Sequence, residues 1–472
     1  MKTVKTIRTV EKVISICSWL ILMLFLTTTV LAAEPDRDDL AIFGTRAKRI
    51  TNPCDPEVAA PQAADPNCAT VHGETNWSFD ISWFNPVTKM YYLADRDNFG
   101  IDIVDTTNDT VVSVATGFVG NKPANAGGPN GVLVTNKPHQ LWAGDGDSTV
   151  KVYRLNFTGD TATFLTSVKT GDAQHLGVKR ADELAYDPDD QLILIANDDD
   201  SELFLTFIKV DANPNNIQVK GVIDFKNNCP VGGCSTGGIE QPVYDHGTRL
   251  FYVAIPQTTG HPNGEIAVID PKSMKVTTVF GLTDVNNSPI PCFPHGLAQG
   301  PNQQLLVGCS ADTNDTTFPN GHALVSIIIS ALDGHLIRQF NQVGGSDEVW
   351  YNPGDNTYYL AASNWQLDTK KVGFVCPSAN PPANCPTTAA PVLGIIDAGS
   401  DADGPEFIQN VKTGGGDHSV AAAFLHVCDV HHGKKGDDRC DKNDVVNKVY
   451  VPFRVVPASN ETGGIAVVGR VP

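Results

Sequence analysis

The sequence predicts an all-β, seven-bladed β-propeller, and three observations predict it. The chain is turn-rich, with 42 Gly and 31 Pro among 472 residues and only 8% aromatics, which excludes long helices and coiled coils. A polar residue, an apolar strand, a Pro turn and a second aliphatic strand recur seven times at near-constant spacing. Each recurrence runs on into a further pair of short strands, and four strands with turns between them describe a propeller blade. Hydrophobic residues make up 41% and charged ones 18%, a globular balance. Two β-sandwiches, the competing fold, offer no reason for seven even spacings.

Four copies of the unit are strict. Asp80-Ile-Ser-Trp-Phe-Asn-Pro86 precedes Lys89-Met-Tyr-Tyr-Leu-Ala94, and Asp182-Glu-Leu-Ala-Tyr-Asp-Pro188 precedes Leu192-Ile-Leu-Ile-Ala196. His295 to Pro301 precedes Leu305-Leu-Val-Gly308, and Asp347 to Pro353 precedes Tyr358-Tyr-Leu-Ala361. In all four, Pro stands six residues after the polar position. Looser copies start at Asn130, Glu240 and His418, so successive polar positions are separated by 50, 52, 58, 55, 52 and 71 residues. The outer strands follow, as in Ile101–Asp105 with Thr110–Ser113 and Glu265–Asp270 with Val276–Val279. The last unit has a third strand at Gly464–Gly469 and then stops. Its missing outer strand is expected from Asp39–Gly44, a pairing that leaves no open edge at the joint.

The N-terminus reads as an export signal. Lys2, Lys5, Arg8 and Lys12 precede an apolar run from Val13 to Leu31, and Ala32-Ala33 offers a cleavage point. An uncleaved anchor is the alternative, since the run approaches the spanning length. The expected organisation is residues 1–32 as signal peptide and 33–472 as one propeller domain, periplasmic or secreted, monomeric and without a membrane span. The ten remaining cysteines fall into close couples, Cys54/Cys68, Cys229/Cys234, Cys292/Cys309, Cys376/Cys385 and Cys428/Cys440. In an exported chain these read as disulfides. The rival, zinc at Cys428, His431, His432 and Cys440, lacks the second arm of a closed tetrahedral site. Four of the five couples fall on the face that carries the linkers between blades, as staples for a binding rim or simply for long loops.

The repeated polar residue begins the innermost strand of each blade, so seven side chains should converge on the axis near that upper face. They are Asp80, Asn130, Asp182, Glu240, His295, Asp347 and His418. Gly127-Gly128, Gly237-Gly238, Gly344-Gly345 and Gly415-Gly416 stand just upstream, where small residues let crowded backbones approach. Like charges about 6 Å apart at an effective dielectric near 20 repel by about 3 kcal/mol. Some of the carboxylates are therefore protonated, or Arg and Lys intervene, or a cation sits among them. Asp80, Asn130, Asp182, Glu240 and His295 form a ligand set for calcium, magnesium, manganese or zinc; a hydrated channel without metal competes with that reading. Acidic turns at Asp95-Arg-Asp97, Asp145-Gly-Asp147, Asn197-Asp-Asp-Asp200, Asp312 and Asn364 would form a second tier, or simply solvated hairpin ends.

The segments "IDIVDTTNDTVVSVATG", "EIAVIDPKSMKVTTVF" and "GGGDHSVAAA…NKVYVPF" resemble the YVTN-repeat, lactonase-like seven-bladed propellers of exported bacterial proteins. The resemblance spans roughly residues 75–470 and implies the fold more than an activity. Three functions of different classes follow. One is binding of a small molecule or another exported protein at the axial pocket, with Asp347, Glu348, Asp417, Asp145 and Asp312 as ligand-binding residues. Another is a gluconolactonase-like, metal-dependent hydrolase or lyase of lactones or esters, with His295 or His418 as general base and Asp417 orienting His418. The last is a redox accessory role, disfavoured because no Cys-x-x-Cys-His heme motif occurs. No nucleotide cofactor is expected, and a net charge of −19, or −22 after signal cleavage, argues against nucleic acid. A catalytic serine is unsupported: there is no Gly-x-Ser-x-Gly elbow, and strand alternation would turn Ser419 away from His418.

Overall fold

A computed structural model describes residues 43–51, 77–122, 126–199, 201–310, 325–363, 391–400, 403–426, 445–455 and 462–470. The expected signal peptide, the Cys54/Cys68, Cys376/Cys385 and Cys428/Cys440 couples, the zinc alternative, Asp312 and Asn364 lie outside them. The remainder forms seven four-stranded antiparallel sheets, each built from consecutive strands except the last. The innermost strands of blades one to seven are Phe79–Asn85, Val132–Asn136, Ala181–Asp187, Pro242–Asp245, Pro294–Gln299, Val349–Asn352 and Ala421–His426. Among the described residues the only helical segments are the short turns Pro214–Asn216 and Pro301–Gln303, and no helix is long and apolar enough to cross a membrane.

The seventh sheet closes the ring. The strand Phe43–Thr51 pairs antiparallel with Thr462–Arg470, placing Phe43 opposite Arg470 and Ile50 opposite Ile465. An N-terminal outer strand thus completes the last blade, as expected; of the expected segment Asp39–Gly44, Phe43 and Gly44 belong to it and the rest lies outside the described residues.

Apolar side chains pack between neighbouring blades. Trp142, fully buried, joins Ile193, Ile195 and Ile208 between blades two and three. Blade seven is clasped to blade one by Tyr91 stacked on Tyr450, ring centres 4.8 Å apart, and by Lys448 and Tyr450 both donating to Asp109. Burying one such aromatic contributes roughly 1.5–3 kcal/mol.

The innermost strands of blades one, three and five each carry a register irregularity in their first turn, between Phe79 and Ser82, Ala181 and Leu184, and Pro294 and Leu297. A bulge there breaks strict alternation, so two consecutive residues can both face the channel at different heights. Asp182 and Glu183 do so.

Candidate functional site

Cations occupy the upper channel alongside the expected acids. Arg96, in the second-to-third strand turn of blade one, forms an ion pair with Asp80. Its Nη2 and Nε also donate to Asn130 Oδ1, at 2.7 and 3.1 Å. Arg180, in the linker entering blade three, lies 2.8 Å from Asp182 and 3.3 Å from Asp198. Guanidinium groups therefore compensate the charge of Asp80 and Asp182 and bond Asn130, although both Asp182 oxygens remain without a hydrogen-bond partner. The reason is electrostatic, since buried carboxylates need compensating positive charge.

The other half of the ring is a carboxylate–imidazole trio. His295 Nδ1 donates to Asp347 Oδ1 at 2.9 Å and lies 3.9 Å from Glu240 Oε1. Its Nε2 is buried without a hydrogen-bond partner. Burial disfavours the charged imidazolium, but the Glu240 carboxylate and the Asp347 hydrogen bond outweigh it and raise His295 to about 9. Burial is also the largest influence on Glu240, lifting it to about 7 despite the opposing His295 charge. On Asp80 burial pushes upward, yet Arg96 and His418 hold it well below the ordinary carboxylate range.

His418 stacks on Phe79, with ring centres 4.8 Å apart. Its Nε2 lies 3.2 Å from Asp80 Oδ1, and its Nδ1 lies 3.2 Å from the Gly416 carbonyl. Asp417 does not orient this ring; it is fully buried and accepts from the Thr413 hydroxyl. Ser419 is fully buried and directed to other partners than those of His418. Its hydroxyl donates to Glu348 at 2.8 Å and lies 2.9 Å from Ser82. Regular strand begins only at Ala421, so alternation does not govern residues 418–420.

The acidic turns hold the linkers. Asp97 accepts from the Ser78 amide and Asp198 from the Ile239 amide, at 2.8 and 2.9 Å. Asp145 is buried in an ion pair with Lys151 and accepts from the Val119 and Gly146 amides. The paired glycines act in two ways. At Gly128 a Cβ would sit 2.1 Å from Asp145 Oδ1 and 2.5 Å from the Gly146 amide nitrogen, the expected close approach, whereas Gly238, Gly345 and Gly416 adopt positive φ. Gly131 is as crowded as Gly128, since a Cβ there would sit 2.1 Å from the Asp182 carbonyl oxygen. Cys229–Cys234 and Cys292–Cys309 are disulfide-bonded, and the latter lies three residues from His295.

These groups line a cavity of about 590 Å³ that includes Asp80, Arg96, Lys122, Arg180, Asp347, His418 and Arg454. Of the expected ring, Asp80, Asp347 and His418 line it directly. Glu348 is one layer deeper, and Asp145 and Asp417 do not line it. Arg96, Arg180 and Arg454 were missed as site residues. The signal that could have found them is the acidic ring itself, which demands cations in the flanking loops.

No family model and no curated protein sequence matches the chain. Among solved structures, that of U3-55K superposes with a TM-score of 0.50 at 8% identity, over 83% of this chain and 95% of that one. The crystal structure of the RRP9 WD40 repeats gives 0.50 at 8% identity, over 83% and 94%. At such identity the likeness is one of fold alone, a seven-bladed propeller.

Proposed function

We propose that this chain is an exported propeller, of the YVTN-repeat, lactonase-like kind its repeats resemble, that binds a small organic anion in the upper axial cavity. The observation that carries the reading is the cavity's charge. Four cations, Arg96, Lys122, Arg180 and Arg454, line it against two carboxylates, in a chain whose net charge is −19. Arg96 and Arg180 are already paired, whereas Arg454 and Lys122 have no carboxylate partner among the described residues. A concave site lined by one sign of charge concentrates the opposite ion, and guanidinium groups match carboxylates with two parallel hydrogen bonds. The positively charged leader and the cysteine couples support export.

The test is calorimetric titration with gluconate and citrate, using glucose as the neutral control. Saturable binding of a carboxylate, weakened about tenfold by Arg454→Met, is expected. If neither carboxylate binds, or if Arg454→Met binds equally well, the reading fails.

A second reading, the metal-assisted hydrolase or lyase, rests on Glu240, His295 and Asp347, whose ligand atoms all lie within 4.8 Å of one another. An ion there would polarise an ester carbonyl or acidify a bound water. The trio is also self-sufficient as a hydrogen-bonded ion cluster, and holding a metal would require His295 to give up a proton. Elemental analysis of protein equilibrated with manganese or zinc, with Glu240→Ala as control, separates the two.

A further inference from the structure

The channel has a second mouth, on the face of the turns between first and second strands. A cavity of about 570 Å³ opens there and shares no lining residue with the upper one. Its walls are aromatic, with Trp83 from blade one, Tyr186 from blade three, Tyr244 from blade four and Trp350 from blade six. Each is half-buried, presenting part of a ring to the cavity. Trp83 and Trp350 meet edge to face with centres 5.2 Å apart. Hydrogen bonds tether the tyrosines, Tyr244 to Asp189 and Tyr186 to Gln191.

The inner end of this cavity is acidic. Glu183 and Glu348 line it, with relative exposures of 6% and 2%. Glu348 accepts from Ser419 and from the Val420 amide, but Glu183 Oε2 is buried with no hydrogen-bond partner. The basic residues that line the cavity, Lys137 and His246, are exposed and so stand at its rim, away from that carboxylate. Burial and the neighbouring Glu348 both push Glu183 well above its ordinary value, the response of a carboxyl that lacks a positive partner.

We propose that this lower mouth is a separate binding site for a small organic cation with an apolar body, an aryl- or alkylammonium ion. Aromatic faces attract cations through their quadrupoles, and the apolar body would cover the ring walls. The ammonium group would supply the positive charge that the two glutamates lack and the donor that Glu183 Oε2 lacks. The upper cavity, lined by arginines, selects the opposite sign, so the two ends of one channel would discriminate ligands by charge.

The test is calorimetric titration of the full chain with phenethylammonium, against 2-phenylethanol as a neutral molecule of nearly the same shape. Saturable binding of the cation, about tenfold tighter than the alcohol, is expected. Glu183→Gln, close in shape, should remove that preference while leaving the alcohol's affinity unchanged, and Trp350→Ala should weaken both probes. The comparison of probes on the unaltered protein requires no variant to fold. No saturable binding of the cation, equal affinities for the two probes, or an undiminished preference in Glu183→Gln would each overturn the proposal. Citrate binding at the upper cavity is independent of all three outcomes.

Discussion

Replacing Arg96 by Met tests the central physical claim about the upper ring, that guanidinium groups compensate its buried carboxylates. Arg96 is 17% and Asp80 5% exposed by side chain, and the same guanidinium serves Asn130. Removing one partner of a buried pair costs about 3–5 kcal/mol; the partial exposure of Arg96 puts the expectation near 3 kcal/mol. An unfolding entropy of about 2.1 cal/mol/K per residue over roughly 400 residues converts this to a melting shift of roughly 4 °C. Differential scanning calorimetry at neutral pH measures it. The double variant Arg96→Met/Asp80→Asn should melt above Arg96→Met alone, because the stranded carboxylate is then gone. The pH dependence has a definite sign. Asp80 is held below its ordinary value, so its contribution is present above about pH 3.9 and is lost as the pH falls toward its native pKa. The gap between wild type and Arg96→Met therefore closes on acidification. Additive single-variant effects, to within about 0.5 kcal/mol, would refute the pairing argument.

Other consequences are checked independently. His295, raised from 6.5 to about 9, contributes stability that is fully present below about pH 6.5 and lost as the pH rises through about 9. Glu240→Gln should lower the midpoint of its ring titration by NMR, and an unmoved midpoint would contradict the assignment. Gly131→Ala drives a Cβ against the Asp182 carbonyl and the Glu183 Cα, an overpacking expected to cost about 1–3 kcal/mol. Alanine at Gly404, which would meet nothing within 4 Å, is the control and should leave the melting temperature unchanged. The double variant Cys292→Ala/Cys309→Ala opens a crosslink between residues 17 apart, with an expected loss of about 3 kcal/mol in chemical denaturation. Reductant should shift the wild type in the same direction and by more than it shifts the variant, which retains Cys229–Cys234.

The seven blades were legible in the amino-acid order because each inner strand opens on a polar residue and is followed by an aliphatic partner strand, with a Pro turn between them in four of the seven, repeated at nearly constant length. Convergence of the seven polar positions on the axis followed from the same repeat. The choice of cations was not legible. Arg96, Arg180 and Arg454 lie outside the repeated position, in loops whose destinations depend on how neighbouring blades pack. Glu183 escaped notice because a bulge turns the residue after Asp182 inward, against the alternation that sequence reasoning assumes. The chain order by itself determined the wheel and its acidic hub, since both arise from interactions within a blade. Only the tertiary structure decided how that hub is neutralised and what lines each mouth, because Coulomb forces and burial act between residues that are brought together only when the ring closes.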